Sequence, residues 1–198
     1  MAQSKSRCAW PGDDPLMLDY HDSEWGTPLH DDHLLFEFLI LEGMQAGLSW
    51  RTVLHKRENF RMAFSGFDPR KIARYDRRKI KRLMQNEGII RNRLKIESAI
   101  KNAQACLKAE KEFGSFSKFL WMLSGPFEPA GKYTSLHELP AKTDQSIHMS
   151  KSLLKAGFKF VGPTICYALM QATGMVNDHV VDCYRFKEIE RIRRRGQV

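Results

Sequence analysis

Apolar positions along this chain recur almost everywhere at helical spacing, and runs of strict alternation are nearly absent. From Asp32, the run His33-Leu34-Leu35-Phe36-Glu37-Phe38-Leu39-Ile40-Leu41-Glu42 is apolar nearly all round, the mark of a central buried helix. Asp32 is expected as its N-cap and Gly43 as the break at its end. Trp50 then leads into a helix carrying Val53, Leu54 and Phe60. Asp68-Pro69, a cap followed by proline at the first helical position, opens a short helix with Ile72 and Ala73. Asp76 caps the next, with Ile80, Leu83 and Met84 as its apolar face and Gly88 at its end. Ile96, Ile100, Ala103 and Leu107 define a longer helix ending near Gly114, and residues 115–123 another. The stretch 124–144 breaks the pattern with Gly125, Pro126, Pro129, Gly131 and Pro140, a loop with room for an isolated hairpin. Beyond it, 147–155 reads as one helix, and Pro163 starts another that Gly174 ends. The fold class is all-α, without internal repeats.

Length and composition narrow the class. With 198 residues, 42% of them hydrophobic, the chain is one domain or two small ones with a real core, not a disordered segment or a disulfide scaffold. The net charge is +9, but it is unevenly spread. Residues 1–50 hold two basic against nine acidic residues, whereas 51–111 hold eighteen basic against six acidic. A solvated helical face produces such a block, and so does a surface that grips an acidic polymer, with nucleic acid ahead of a membrane. The first seven residues are polar and no apolar stretch follows, so no secretory signal is read and an intracellular, cytoplasmic setting is expected. The longest uncharged run, 160–177, carries Gly162, Pro163, Thr164, Gln171, Thr173 and Gly174 and reads as a buried helix rather than a span. Four cysteines at irregular spacing point to free thiols or metal ligands.

Three constellations carry possible chemistry. In 153–168 a helix, a turn with Gly157 and Gly162, and a second helix starting at Pro163 follow one another. Glycines there allow close backbone approach, and a helix N-terminus offers free amides to a phosphate beside Lys159. An ordinary helical corner has the same pattern. Cys8 and His21 near one end and His179 and Cys183 near the other form a two-thiolate, two-imidazole set suited to a closed structural zinc site. His179 and Cys183, four apart, would share a helical face. Four separate buried or surface residues are the alternative. Cys106 and Cys166 read as small core residues. Finally, Glu42 closes an apolar helix where a carboxylate is costly, with Trp10, Tyr20 and Trp50 as aromatic neighbours. A buried carboxylate between rings suits a flat heterocycle that donates hydrogen bonds; tryptophans as core filler and Glu42 in an ion pair are the other reading.

Together, Cys8-x-Trp10, Tyr20-His21-Asp22-x-Glu24-Trp25-Gly26, Leu41-Glu42-Gly43-x-Gln45-Ala46-Gly47-Leu48-Ser49-Trp50, Gly157-Phe158-Lys159-Phe160-Val161-Gly162 and Asn177-Asp178-His179-Val180-Val181 resemble the DNA-3-methyladenine glycosylase I family, over residues 7–183. That resemblance implies a two-lobed helix–hairpin–helix glycosylase fold, a single domain over 1–184 with a basic tail over 185–198. It implies one structural zinc ion on Cys8, His21, His179 and Cys183, tying the chain ends together. Trp10, Tyr20, Glu42 and Trp50 would bind the alkylated base, with Glu42 as the catalytic carboxylate, either stabilising the cationic base or orienting water. Gly157, Lys159, Gly162 and Thr164 would contact DNA, and Leu48 would wedge into the gap left by the flipped base. The implied activity is monofunctional hydrolytic release of 3-methyladenine from double-stranded alkylated DNA by a monomer. Related glycosylases place a catalytic Asp in a Val-Asp-x-His context; here Val176-Asn177-Asp178-His179 puts Asn177 at that position. Two other classes are a zinc-stabilised protein that only binds DNA, and a thiol-dependent enzyme using Cys8.

Overall fold

Short polar side chains set the helix starts. In the computed structural model, which describes residues 5–126 and 131–195, the carboxylates of Asp14, Asp68 and Asp76 each accept from backbone N–H groups at the start of α1 (Pro15–Ser23), α5 (Pro69–Ile72) and α6 (Arg77–Gln85). Ser49 does the same for α3 (Trp50–Leu54). The stretch predicted as one helix from Trp50 to Phe60 breaks at His55-Lys56, and α4 (Arg57–Ala63) follows. Asn92 caps the 21-residue α7 (Arg93–Phe113), which ends on Gly114 in the left-handed region at φ 85°. Then come α8 (Phe116–Leu123), α9 (Asp144–Lys155), α10 (Pro163–Ala172) and α11 (Tyr184–Arg195). The described residues contain no strand; within 124–144 they form a single 3-10 turn, Leu136–Glu138, and Pro129 lies outside them.

The central helix α2 (Asp32–Gln45) is buried continuously from Leu35 to Met44. Its cap is Asp31, not Asp32: the Asp31 carboxylate accepts from Leu34 N at 2.8 Å. Asp32, the first helical residue, instead accepts from Phe116 N and Ser117 N at 3.1 and 2.7 Å, and so caps α8 from across the core. The helix also runs through Gly43 to Gln45. There the Lys95 ammonium donates to the carbonyls of Met44 and Ala46 at 2.7 and 2.6 Å, a cation where the helix dipole is negative. A Cβ on Gly43 would rest on Phe160 Cβ at 3.5 Å, so a longer side chain there would push the 157–162 turn off α2. Helix α6 ends at Gln85, before Gly88. Around α2 pack α3, α7, α8 and α10, and α9 packs on α10. The basic tail read over 185–198 instead forms most of α11, which starts at Tyr184; Ile189 is fully buried and Arg185 and Arg193 nearly so, while 196–198 lie outside the described residues.

Candidate functional site

Residues from both ends of the chain meet beside α1. The donor atoms of Cys8, His21 and Cys183 all lie within 4.8 Å of one another, and all three side chains are buried. His179 stands beside this group, its ring centroid 5.2 Å from that of His21. His179 and Cys183 do not share a helical face as expected. Residues 177–183 are non-helical, and the Cys183 N–H closes a turn onto the Val180 carbonyl, so a turn rather than a helix supplies the four-residue spacing.

The donor set fits a soft, tetrahedral cation. Asp22 Oδ1 lies 2.9 Å from His21 Nδ1 and Asn177 Oδ1 lies 2.9 Å from His179 Nδ1, so each ring keeps Nε2 as its unprotonated face. His179 Nε2 is buried with no hydrogen-bond partner, a costly arrangement unless a cation completes it. A hydrogen bond between the two thiols lowers Cys183 and raises Cys8. Gly26 makes room for this corner: it sits at φ 76°, and a Cβ there would lie 2.7 Å from His179 Cε1.

A cavity of about 260 Å³ opens next to it. Tyr20 from α1, Glu42 from α2, Trp50 from α3 and Gln171 from α10 line it with Trp10 and Trp25, and Leu136 and Leu139 close one side. Tyr20 lies between the two walls, its ring 6.1 Å from Trp10 and 5.2 Å from Trp50. Glu42 is 3% exposed, and burial pushes its carboxyl up to about 8. Its Oε2 has no hydrogen-bond partner, nor do the indole N–H groups of Trp10 and Trp50. Burial, and then the Glu42 charge, raise Tyr20 well above its usual range. One acceptor and several donors, fixed in a largely aromatic space and left unsatisfied by the protein, form a receptor for a planar polar ring. The cavity and the Cys8–His21–Cys183 group share walls: the Trp10 ring is 5.5 Å from His21, and Trp25 is 4.5 Å from His179.

The 157–162 turn packs on the C-terminal end of α2 through Phe160, which stands against Gly43. Gly157 takes φ 98°, and α10 follows Gly162 without a side-chain cap, so the N–H groups of Thr164 and Ile165 remain available for an anion. Lys159 and Thr164 are exposed there. Leu48, 45% exposed, projects from the loop between α2 and α3.

Several residues that matter here escaped the sequence reading. Asn102 of α7 clamps the turn, accepting from Lys159 N at 2.7 Å and donating to Lys159 O at 3.0 Å. Arg57 lies 5.0 Å over the Phe38 ring, which stacks on Trp50, and is held by Glu37 at 2.5 Å and Glu24 at 2.7 Å. The signal for it was Glu37, a carboxylate inside an apolar run that needs a cation. Asn177 is wholly occupied structurally: its Nδ2 donates to Phe186 O and Glu190 Oε1, and its Oδ1 faces His179.

Residues 10–186 match the family model described as methyladenine glycosylase. DNA-3-methyladenine glycosylase 1 of Escherichia coli is 51% identical over 177 residues, which cover 89% of this chain and 95% of that protein. A crystal structure of 3-methyladenine DNA glycosylase I superposes with a TM-score of 0.87 at 49% identity, covering 90% of this chain and 98% of the other. The Staphylococcus aureus 3-methyladenine DNA glycosylase I, solved for the structural basis of 3-methyladenine recognition, gives 0.86 at 39% identity over 91% of this chain and 96% of its own.

Proposed function

The chain belongs to the methyladenine glycosylase family, and we propose from that premise a mechanism in which the Glu42 cavity excises 3-methyladenine from alkylated DNA. It is a monofunctional DNA glycosylase of base-excision repair. The unpartnered Glu42 Oε2 between aromatic walls is the observation that carries the assignment of the site.

Methylation at N3 gives the adenine a positive charge, so the bond from N9 to the sugar carbon is already weakened. The nucleotide swings out of the duplex and its base enters the cavity, with Trp10 and Trp50 as walls. Glu42 releases its proton to solvent as the cation enters, and the cation's charge offsets the cost of burying the carboxylate. When the N9–sugar bond breaks, its electron pair stays on the base, which leaves neutral, and the positive charge passes to the sugar carbon. A fixed carboxylate nearby stabilises that charge as it moves. Water then adds to the sugar carbon and loses a proton, leaving an abasic site and an intact strand. Tyr20 places a hydroxyl on the base edge.

The 157–162 turn, with Gly157, Lys159, Gly162 and Thr164, holds a phosphate of the duplex, and Leu48 fills the gap in the base stack. The cavity then lies between two lobes, with residues 10–54 on one side and 136–171 on the other. Cys8, His21, His179 and Cys183 would hold one structural zinc ion, which would supply no chemistry to the base and would brace the corner against which Trp10 and Trp25 pack. No described helix is long and apolar enough to cross a membrane, and we place the protein as a monomer acting on cytoplasmic DNA.

Methylated duplex DNA incubated with the protein tests the activity: free 3-methyladenine and an uncut abasic strand are expected, and DNA binding without base release would reduce the chain to a binding protein. Elemental analysis of the purified protein should find one zinc per chain. Zinc-free protein of undiminished stability would refute the metal assignment.

A further inference from the structure

We propose that Gln171 selects the exocyclic amine of the base and that Asp178 acts behind it as a positioning residue; this deepens the excision reading and rests on it. Gln171 lines the same cavity as Glu42. Its Nε2 donates to Asp178 Oδ2 at 2.7 Å, and the Tyr167 hydroxyl donates to the same oxygen at 2.5 Å. Asp178 and Tyr167 are buried and do not line this cavity; they stand behind its wall. A carboxylate only accepts, so the contact decides which end of the Gln171 amide is tied up and which remains free. The end left free is Oε1, to which no donor is bound among the described residues. Without Asp178 the amide could turn over and present its donor instead.

The consequence is a choice between purines. A 6-amino purine carries two N–H groups on its exocyclic nitrogen; Glu42 takes one and Gln171 Oε1 takes the other. A 6-oxo purine presents an oxygen at the same place, where it would face two acceptors. Sites built around such a donor reject analogues that lack it far more strongly than apolar pockets reject a change of size. The aromatic walls accept either ring, so the discrimination between 3-methyladenine and 3-methylguanine falls to these polar atoms. The fixed orientation of Gln171 is a product of α10, which carries Tyr167 and Gln171 one turn apart on the face toward Asp178.

The test is the release of 3-methyladenine and of 3-methylguanine from the same methylated duplex DNA by the wild-type chain, Gln171→Leu and Asp178→Asn. Circular dichroism and zinc content are recorded alongside. Wild type should favour 3-methyladenine. Gln171→Leu should cut the ratio of the two rates by about tenfold or more, the equivalent of one lost hydrogen bond. Asp178→Asn, whose amide can pair with either end of Gln171, should move the ratio in the same direction. If folded Gln171→Leu slows both bases equally, the role is structural and the inference is overturned. Should Gln171→Leu fail to fold, Asp178→Asn decides by the same ratio. Absence of any base release by wild type would sink the excision reading itself, whereas a preserved ratio in active variants sinks only the role of Gln171.

Discussion

Glu42 is a carboxyl held where charge is costly, and that cost has a sign. Its folded value near 8 lies above the ordinary 4.5. Between those two pH values the unfolded chain has lost the proton and the folded chain keeps it, so this group lowers stability progressively as pH rises through that window. Glu42→Gln removes the slope. Its melting temperature should exceed that of wild type by about 10 °C at pH 8 and match it near pH 4, as thermal denaturation across that range would show. A flat difference across the range would mean that Glu42 is not protonated in the free protein. Gly26 is the second residue on which the site depends. An alanine there meets His179 Cε1 at 2.7 Å in a backbone conformation that L-residues avoid. Gly26→Ala should therefore lose metal during dialysis that leaves wild type loaded; equal retention by the two would refute the contact.

At the scale of helices, the 157–162 turn depends on an element far from it in sequence. Asn102→Ala removes both hydrogen bonds that grip Lys159 and should cost about 2 kcal/mol of stability. It should weaken binding to undamaged duplex DNA while leaving the affinity for free 3-methyladenine within about twofold, the range of a distant change. Titrations of each ligand separate the two effects. This clamp also shows which parts of the molecule could be read from sequence. Caps such as Asp68, Asp76 and Gly114 act on their own helices, so local patterns revealed them. Asp32 caps a helix 84 positions away and Asn102 holds a turn 57 positions away, and no local signal marks either. The cavity residues Trp10, Tyr20, Glu42 and Trp50 were readable because a buried carboxylate among rings is chemically anomalous. Gln171 was not, being one polar residue on an otherwise apolar helix. His179 and Cys183 were expected on one helical face, but a tight turn spans the same separation.

Across the whole molecule, charge and chemistry are divided between regions. The acidic first fifty residues carry Glu42 and the aromatic walls, suited to a cation, while the basic block over 51–111 and the turn suit phosphates. Affinity for undamaged duplex should fall linearly with the logarithm of salt concentration, and Lys159→Ala should reduce that slope by about one, measured by fluorescence anisotropy. The Cys8–His21–Cys183 group joins residues from the two chain ends beside the cavity, and Trp10 and Trp25, which line that cavity, lie against His21 and His179. The most direct measurement of the central claim is single-turnover release of 3-methyladenine from methylated duplex DNA by wild type and by Glu42→Gln, both confirmed folded. Wild type should release the base, and the variant should do so about 100-fold more slowly or worse. Equal rates would contradict the assignment of Glu42 and, with it, of the cavity as the site of excision.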